Sequence, residues 1–422
     1  MRVGGFVLIV DFSVANFRSF KEKQTLSMVA ASFSEHLENN TCGSGEENIE
    51  ERLLRSAAIY GANGAGKTNI LRALQMMQNI IIHSANPDFK LPYYPFKFSA
   101  ASRGSPTEFV TTLIQDGTRY QYGFSIKDDH IEKEWLKGFV HARGRMLFER
   151  SYDEKTQNYF WNFSTYLKGQ RALWSESTRP NALFLSTAVQ FNSIQLLPLY
   201  AWFQKRLVVI FGQEGLNAGL TINLLNQDSG KKQLLSFLAS AGLNEITDIG
   251  LKREQISHGL PILGNNHIIE HRPNQLPNLL RVSFKHPSDV PEHAYLEWQE
   301  ESAGTQTIFR NAGAWINLLQ NGEVLLIDEI ETNLHPLLVE FLINQFHSSK
   351  NNPQNAQMLF TTHNTTLMDQ KLFRRDQFWF AEKNDQGESH LYPLQKFKPR
   401  NDAVLENWYK QGRYGAVPKV VS

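Results

Sequence analysis

Cysteine is almost missing from this chain: Cys42 stands alone among 422 residues. One thiol closes no internal disulfide and builds no cysteine metal cluster, so packing must hold the fold, and a reducing cytoplasm fits. Long apolar runs are missing as well. The run from Phe6 to Val10 stops at Asp11, too short for a signal-peptide core or a membrane span. No stretch reaches the roughly 18 apolar residues that a spanning helix needs. The expectation is a soluble, cytoplasmic protein with no membrane partner. An excess of one charge is also lacking, with 43 basic residues against 42 acidic ones and a net charge of +1. Nucleic-acid binding by bulk charge is thereby excluded, and any such role must rest on a local patch or a partner. Between residues 90 and 300 there are no sustained heptads, which removes a long coiled coil. Internal repeats and low-complexity tracts are absent too.

What remains is an ordinary globular balance, 41% hydrophobic and 20% charged, long enough for two domains or one large domain with an inserted lobe. Residues 6–29 alternate as a strand or hairpin, and residues 36–52 are polar and acidic, as in an exposed loop. Residues 54–61 form a short buried strand. The segment after Lys67 places Ile70, Leu71, Leu74, Met77, Ile80 and Ile81 on one helical face. From about 91 to 165 short β segments dominate, with Asp116-Gly117 between two alternating runs as a hairpin signal. Residues 181–211 and 233–243 are expected to be helical, while 252–297 are turn-rich and carry no clear period. Order returns with a helix ending at Asn321-Gly322, a buried strand VLLI, a helix from His335-Pro336 and a strand before His363.

This alternation at both ends of the chain predicts an α/β fold, a mixed sheet flanked by helices, interrupted by a large β-rich and helical insertion. Four segments follow: 1–90 with the phosphate loop, 91–180 rich in β, 181–300 helical or irregular, and 301–422 closing the sheet.

Gly61-Ala62-Asn63-Gly64-Ala65-Gly66-Lys67-Thr68 matches the P-loop at every fixed position, between a buried strand and a helix. Glycines are needed because backbone N–H groups must turn inward onto phosphate oxygens. The helix N-terminus adds its positive end to the same anion. Lys67 is placed to reach the β- and γ-phosphates of ATP, the Thr68 hydroxyl to ligate Mg²⁺, and Asn69 to complete the nucleotide site. Asp328 and Glu329 end the strand VLLI, where open α/β sheets put their ligands. Asp328 would hold Mg²⁺, and Glu329 would polarise the attacking water.

Four further segments narrow the class. Glu301-Ser302-Ala303-Gly304-Thr305-Gln306 resembles a degenerate ABC signature motif, Ser302 and Gly304 matching its serine and central glycine. A helix N-cap at Ser302 accounts for the same residues. The segment from Glu331 to Pro336 looks like a D-loop. Thr361-Thr362-His363-Asn364 looks like a switch-histidine loop, though a strand-end histidine satisfied within the fold is the plainer account of His363. The opening Asn16-Phe17-Arg18-Ser19-Phe20 is similar to the first strand of SMC-type ATPases, with Arg18 at the nucleotide.

These motifs occur in ABC order. Over most of its length the chain resembles the AAA-type, ABC-like ATPases of bacterial anti-phage defence loci, of the RloA and AbiLi type. PtuA, AriA and the ATPase half of OLD-family proteins are more distant. The signature lacks its second glycine, and Gln190 is the candidate Q-loop glutamine. The resemblance implies a head-to-tail pair of copies. ATP on Lys67 of one copy would be closed by Ser302 and Gly304 of the other, and His363 would read the γ-phosphate. It further implies a regulatory or scaffold subunit whose effector protein is encoded nearby. An SMC-like DNA-repair ATPase acting directly on DNA is the alternative, which leaves nucleic acid open as a partner.

Overall fold

The computed structural model describes residues 7–47, 49–140, 143–211, 218–255, 268–270, 278–290, 294–332, 334–400 and 404–418. It divides into two compact units, the first comprising Met1–Val209, Asn321–Ile330 and Ile343–Ser422, the second Ile210–Gln320 and Glu331–Leu342.

The first unit holds the motif-bearing sheet. Its six strands run in the order Leu207–Ile210, Val324–Ile327, Gln357–Thr361, Ser56–Tyr60, Phe378–Lys383, Ser389–Pro393. Val324–Ile327, Gln357–Thr361, Ser56–Tyr60 and Phe378–Lys383 are mutually parallel, and Ser389–Pro393 returns antiparallel. Ser56–Tyr60 and Gln357–Thr361 are buried along their whole length, as expected of strands covered on both faces. The helix Lys67–His83 buries Ile70, Leu71, Leu74, Met77, Ile80 and Ile81, the face its periodicity predicts. Gln78 on that helix donates to the carbonyls of Phe203 and Leu207, both at 2.7 Å.

A seven-stranded antiparallel sheet belongs to this unit too, built on Gln24–Ser27, Val7–Ala15 and the five strands between Thr107 and Phe163. Its strands are long rather than short. Asp116 and Gly117 both have positive φ, 50° and 72°, the conformation of a two-residue primed turn, and they join Thr107–Gln115 to Thr118–Lys127. The first strand bulges between Ile9 and Asp11. There the buried Gln357 side chain accepts from Ile9 N at 2.7 Å and donates to Leu54 O at 2.9 Å, stitching this sheet to the other. Beneath the Ser56–Tyr60 strand, the Ser56 hydroxyl lies 2.8 Å from His347 Nε2. Complete burial pushes that imidazole down to about 3, aided by the charge of Arg55, so it is neutral.

Two segments differ from the sequence expectation. Residues 36–52 are no open loop: a helical turn Leu37–Asn40 leads into Thr41–Gly43, paired with Arg52–Leu54. Arg119 draws Glu46 and Glu51 inward as ion pairs, which is why an acidic stretch is packed. Residues 207–210, expected to be helical, form a strand after the helix Leu197–Lys205.

In the second unit, helices Ala218–Leu225, Asp228–Ser240 and Ala303–Asn321 accompany an antiparallel sheet of Asp248–Gln255, Ile268–Glu270, Asn278–Lys285 and Tyr295–Glu297. Leu280, Val282 and Phe284 are buried on one face of that sheet. Asn333 of the expected D-loop, and much of residues 256–277, lie outside the described residues.

Candidate nucleotide-binding and hydrolysis site

The chain leaves the buried strand Ser56–Tyr60 directly into the phosphate loop. A Cβ on Gly61 would lie 2.3 Å from the Ala381 carbonyl oxygen on the neighbouring strand, so no side chain fits. Gly66, at φ 108°, caps the helix, and a Cβ there would meet Ser389 Oγ at 2.5 Å and Ser19 Oγ at 3.0 Å. Crowding by neighbours thus fixes glycine at both ends of the loop, while Asn63 and Gly64 are exposed at its crest. Lys67 is buried, and its ammonium donates to Gly61 O at 2.8 Å and Ala62 O at 3.2 Å. The amine therefore lies inside the curl of Gly61-Ala62-Asn63-Gly64-Ala65-Gly66, beside the positive end of the helix dipole.

Asp328 follows the strand Val324–Ile327, and the strand Gln357–Thr361 separates it from the phosphate loop's own strand. Two hydroxyls meet on one of its oxygens. Thr68 Oγ1 donates to Asp328 Oδ1 at 3.0 Å and Thr361 Oγ1 at 2.6 Å. A carboxylate and a hydroxyl beside a phosphate-binding loop fit Mg²⁺, which takes hard oxygen ligands and keeps substrate phosphates among them. Thr68 and Asp328 are the residues that would hold it.

Glu329 stands at φ 52°, left-handed backbone that a non-glycine residue adopts only when its surroundings impose it. Its N–H is held by Thr361 Oγ1 at 2.8 Å, and Ile330 N donates to Thr361 O at 3.1 Å. The turn sends the Glu329 carboxylate outward, about half exposed at 53%, with Oε1 at 3.7 Å from His363 Nε2. Ala62, Asn63, Glu329, His363 and Pro418 line one open cleft of about 660 Å³. The phosphate loop, the acid pair and His363 are therefore in one place. Thr361 and Pro418 were not among the expected site residues. Thr361 opens the Thr361-Thr362-His363-Asn364 motif read from the sequence, which gives it no role of its own; Pro418 carries no side-chain chemistry that marks it as a site residue.

The opening turn also reaches this region. Asn69 Nδ2 donates to Ser19 Oγ at 2.7 Å, tying the turn to the phosphate helix. Arg18, at φ 52°, stacks its guanidinium 5.2 Å from the Tyr94 ring and 5.6 Å from Phe17. Burial, and then the charge of Arg72 on the phosphate helix, lower its pKa.

Ser302 lies in the second unit and caps the helix Ala303–Asn321: its Oγ accepts from Thr305 N at 3.0 Å. The capping account of this serine therefore holds. Gly304 is different. Among the described residues an added Cβ would meet only Ser302 Oγ, at 3.6 Å, so none of them requires a glycine there. Gln190 ends the helix Phe184–Gln190.

The chain matches the family model described as "AAA domain, putative AbiEii toxin, Type IV TA system" over residues 56–198 and 257–369. It belongs to this family of P-loop ATPases. Both the phosphate loop and the Asp328–His363 segment fall within the match. Among solved structures, the SMC head domain from Thermotoga maritima is similar at 12% identity and TM-score 0.41, covering 91% of this chain and 98% of that one. An SmcHead bound to the C-winged helix domain of ScpA shares 12% identity at TM-score 0.41, covering 92% and 99%. The cbiO1 protein from Clostridium perfringens, part of the ABC transporter complex cbiONQ, shares 10% at TM-score 0.32, covering 90% and 96%. No curated protein matches the chain. Among the described residues, no helix is long and apolar enough to cross a membrane.

Proposed function

We propose that this chain binds ATP on its phosphate loop and hydrolyses it to ADP and phosphate, with two copies closing head-to-tail over the nucleotide. The carrying observation is one junction: Asp328 Oδ1 accepts the Thr68 hydroxyl while Glu329, next in sequence, faces His363 across 3.7 Å. Backbone N–H groups from Gly61 to Gly66 bind phosphate oxygens, and Lys67 leaves its carbonyl partners for the β- and γ-phosphates. Arg18 and Asn69 flank the nucleotide. Bound Mg²⁺ supplies charge neutralisation at the phosphate oxygens. Glu329 takes a proton from the attacking water as the water oxygen bonds to the γ-phosphorus and the bond to the ADP oxygen breaks. His363, beside Glu329, senses whether the γ-phosphate is present.

Ser302 and Gly304 of the other copy complete the site. Their support is the unexplained glycine at a helix N-terminus, where a side-chain-free residue lets a phosphate approach closely. The pair then closes with ATP and opens after hydrolysis, since contacts to the γ-phosphate exist only in the closed state. In the cell we place it as the sensor or scaffold subunit of an anti-phage defence system, its effector on a separate, nearby-encoded polypeptide. The family description, which joins an AAA domain to a toxin system, supports that placement.

Mixing two inactive variants tests the shared site. Ser302→Arg keeps its phosphate loop but blocks closure, and Lys67→Ala keeps an intact Ser302 surface. Neither homodimer has a working site, whereas each mixed dimer has one. An equal mixture that exchanges freely should recover about a quarter of wild-type ATPase activity, because half the dimers are mixed and each carries one sound site. No recovery despite proven exchange would overturn the shared site while leaving the phosphate-loop chemistry standing.

A further inference from the structure

We propose that Thr361 is a positioning residue for this ATPase, one hydroxyl that sets both the metal-side carboxylate of Asp328 and the backbone of Glu329. The proposal rests on the functional reading above and adds a residue that reading leaves out.

Strand order creates the opportunity. Gln357–Thr361 is the strand between the phosphate-loop strand and the strand of the acid pair, with Phe360 opposite Ile327 and Thr361 opposite Ile59. Thr361 therefore stands at the sheet end just where the chain passes from Ile327 to Asp328. It is completely buried. A threonine hydroxyl has one proton to give and lone pairs to receive. Here the proton goes to Asp328 Oδ1 at 2.6 Å, and the oxygen accepts the Glu329 N–H at 2.8 Å. The Thr361 carbonyl then accepts the Ile330 N–H at 3.1 Å. Three successive residues are thus anchored by one.

Each bond has a consequence for the chemistry. Asp328 has two hydroxyl donors on the same oxygen, Thr68 and Thr361. Thr68 is the group that Mg²⁺ would recruit, which leaves Thr361 as the donor that keeps the carboxylate aimed in both states. Glu329 is left-handed at φ 52°, and the bond from its N–H to Thr361 Oγ1 holds that turn, so the same hydroxyl directs the general base towards the cleft. Hydroxyls behind metal ligands act in this way generally, orienting the ligand without touching the metal.

The test compares Thr361→Val, which keeps the shape and removes the hydroxyl, with Thr361→Ser, which keeps the hydroxyl. Binding of a fluorescent ATP analogue is followed in EDTA and through a Mg²⁺ titration, alongside kcat, KM and thermal unfolding. In Thr361→Val, binding in EDTA should match wild type. The Mg²⁺ needed for half-maximal enhancement should rise, and kcat should fall, each by about 10- to 100-fold with KM little moved. Thr361→Ser should restore both. A wild-type Mg²⁺ titration and kcat in Thr361→Val would overturn the proposal. So would a serine variant as impaired as the valine one, or losses confined to unfolding temperature and EDTA binding, which mark a purely structural hydroxyl. If the wild-type chain binds nucleotide but forms no ADP, the functional reading fails, and the Mg²⁺ titration still decides on Thr361.

Discussion

Glu329→Gln is expected to leave ATP binding intact and to stop its hydrolysis. Glutamine matches glutamate in size and keeps the backbone N–H that Thr361 holds, so the left-handed turn and the cleft are preserved. What it loses is the ability to take a proton from water. Removing a positioned general base costs about 10²- to 10⁴-fold in rate. The binding step is untouched because it depends on the loop around Lys67. ATP that binds and is not cleaved should hold the closed pair, visible as an ATP-dependent doubling of mass by light scattering. A variant turning over near the wild-type rate would show that a group other than Glu329 activates the water.

Lys67→Ala should act one step earlier and abolish ATP binding. The ammonium is buried and held at 2.8 Å by the Gly61 carbonyl, so it is already inside the loop when ATP arrives and needs little reordering. Truncating one partner of a desolvated, hydrogen-bonded charge pair costs about 2–5 kcal/mol, or about 30-fold to several thousand-fold in affinity. The rest of the helix Lys67–His83 keeps its buried face, so the fold should survive, which a thermal melt checks. Unchanged affinity for labelled ATP would sink the phosphate-loop assignment.

The contrast between these residues and Thr361 shows what the sequence made legible. Lys67, Thr68, Asp328 and Glu329 announce themselves because a phosphate site needs local features: a glycine turn, a helix start, a buried strand ending in acids. Their neighbourhood is written in adjacent residues. The part played by Thr361 depends on which strand lies between which, and strand order is a long-range property that periodicity does not carry. The same holds for residues 36–52, where Arg119 gathers Glu46 and Glu51 from far along the chain. Strand Asn278–Lys285 was hidden for another reason. Its alternation of Leu280, Val282 and Phe284 is clear, but it is embedded among turn-formers that masked the period. Of the two readings open to Ser302 from sequence, the helix cap is the one observed; service to a second copy belongs to the proposed shared site.

The most direct measurement is ADP formation from ATP by the purified wild-type chain, with and without Mg²⁺. The account predicts turnover with Mg²⁺, loss of turnover in EDTA, and recovery when Mg²⁺ is restored. A chain that binds ATP tightly with Mg²⁺ present and yet yields no ADP above the spontaneous rate would contradict it.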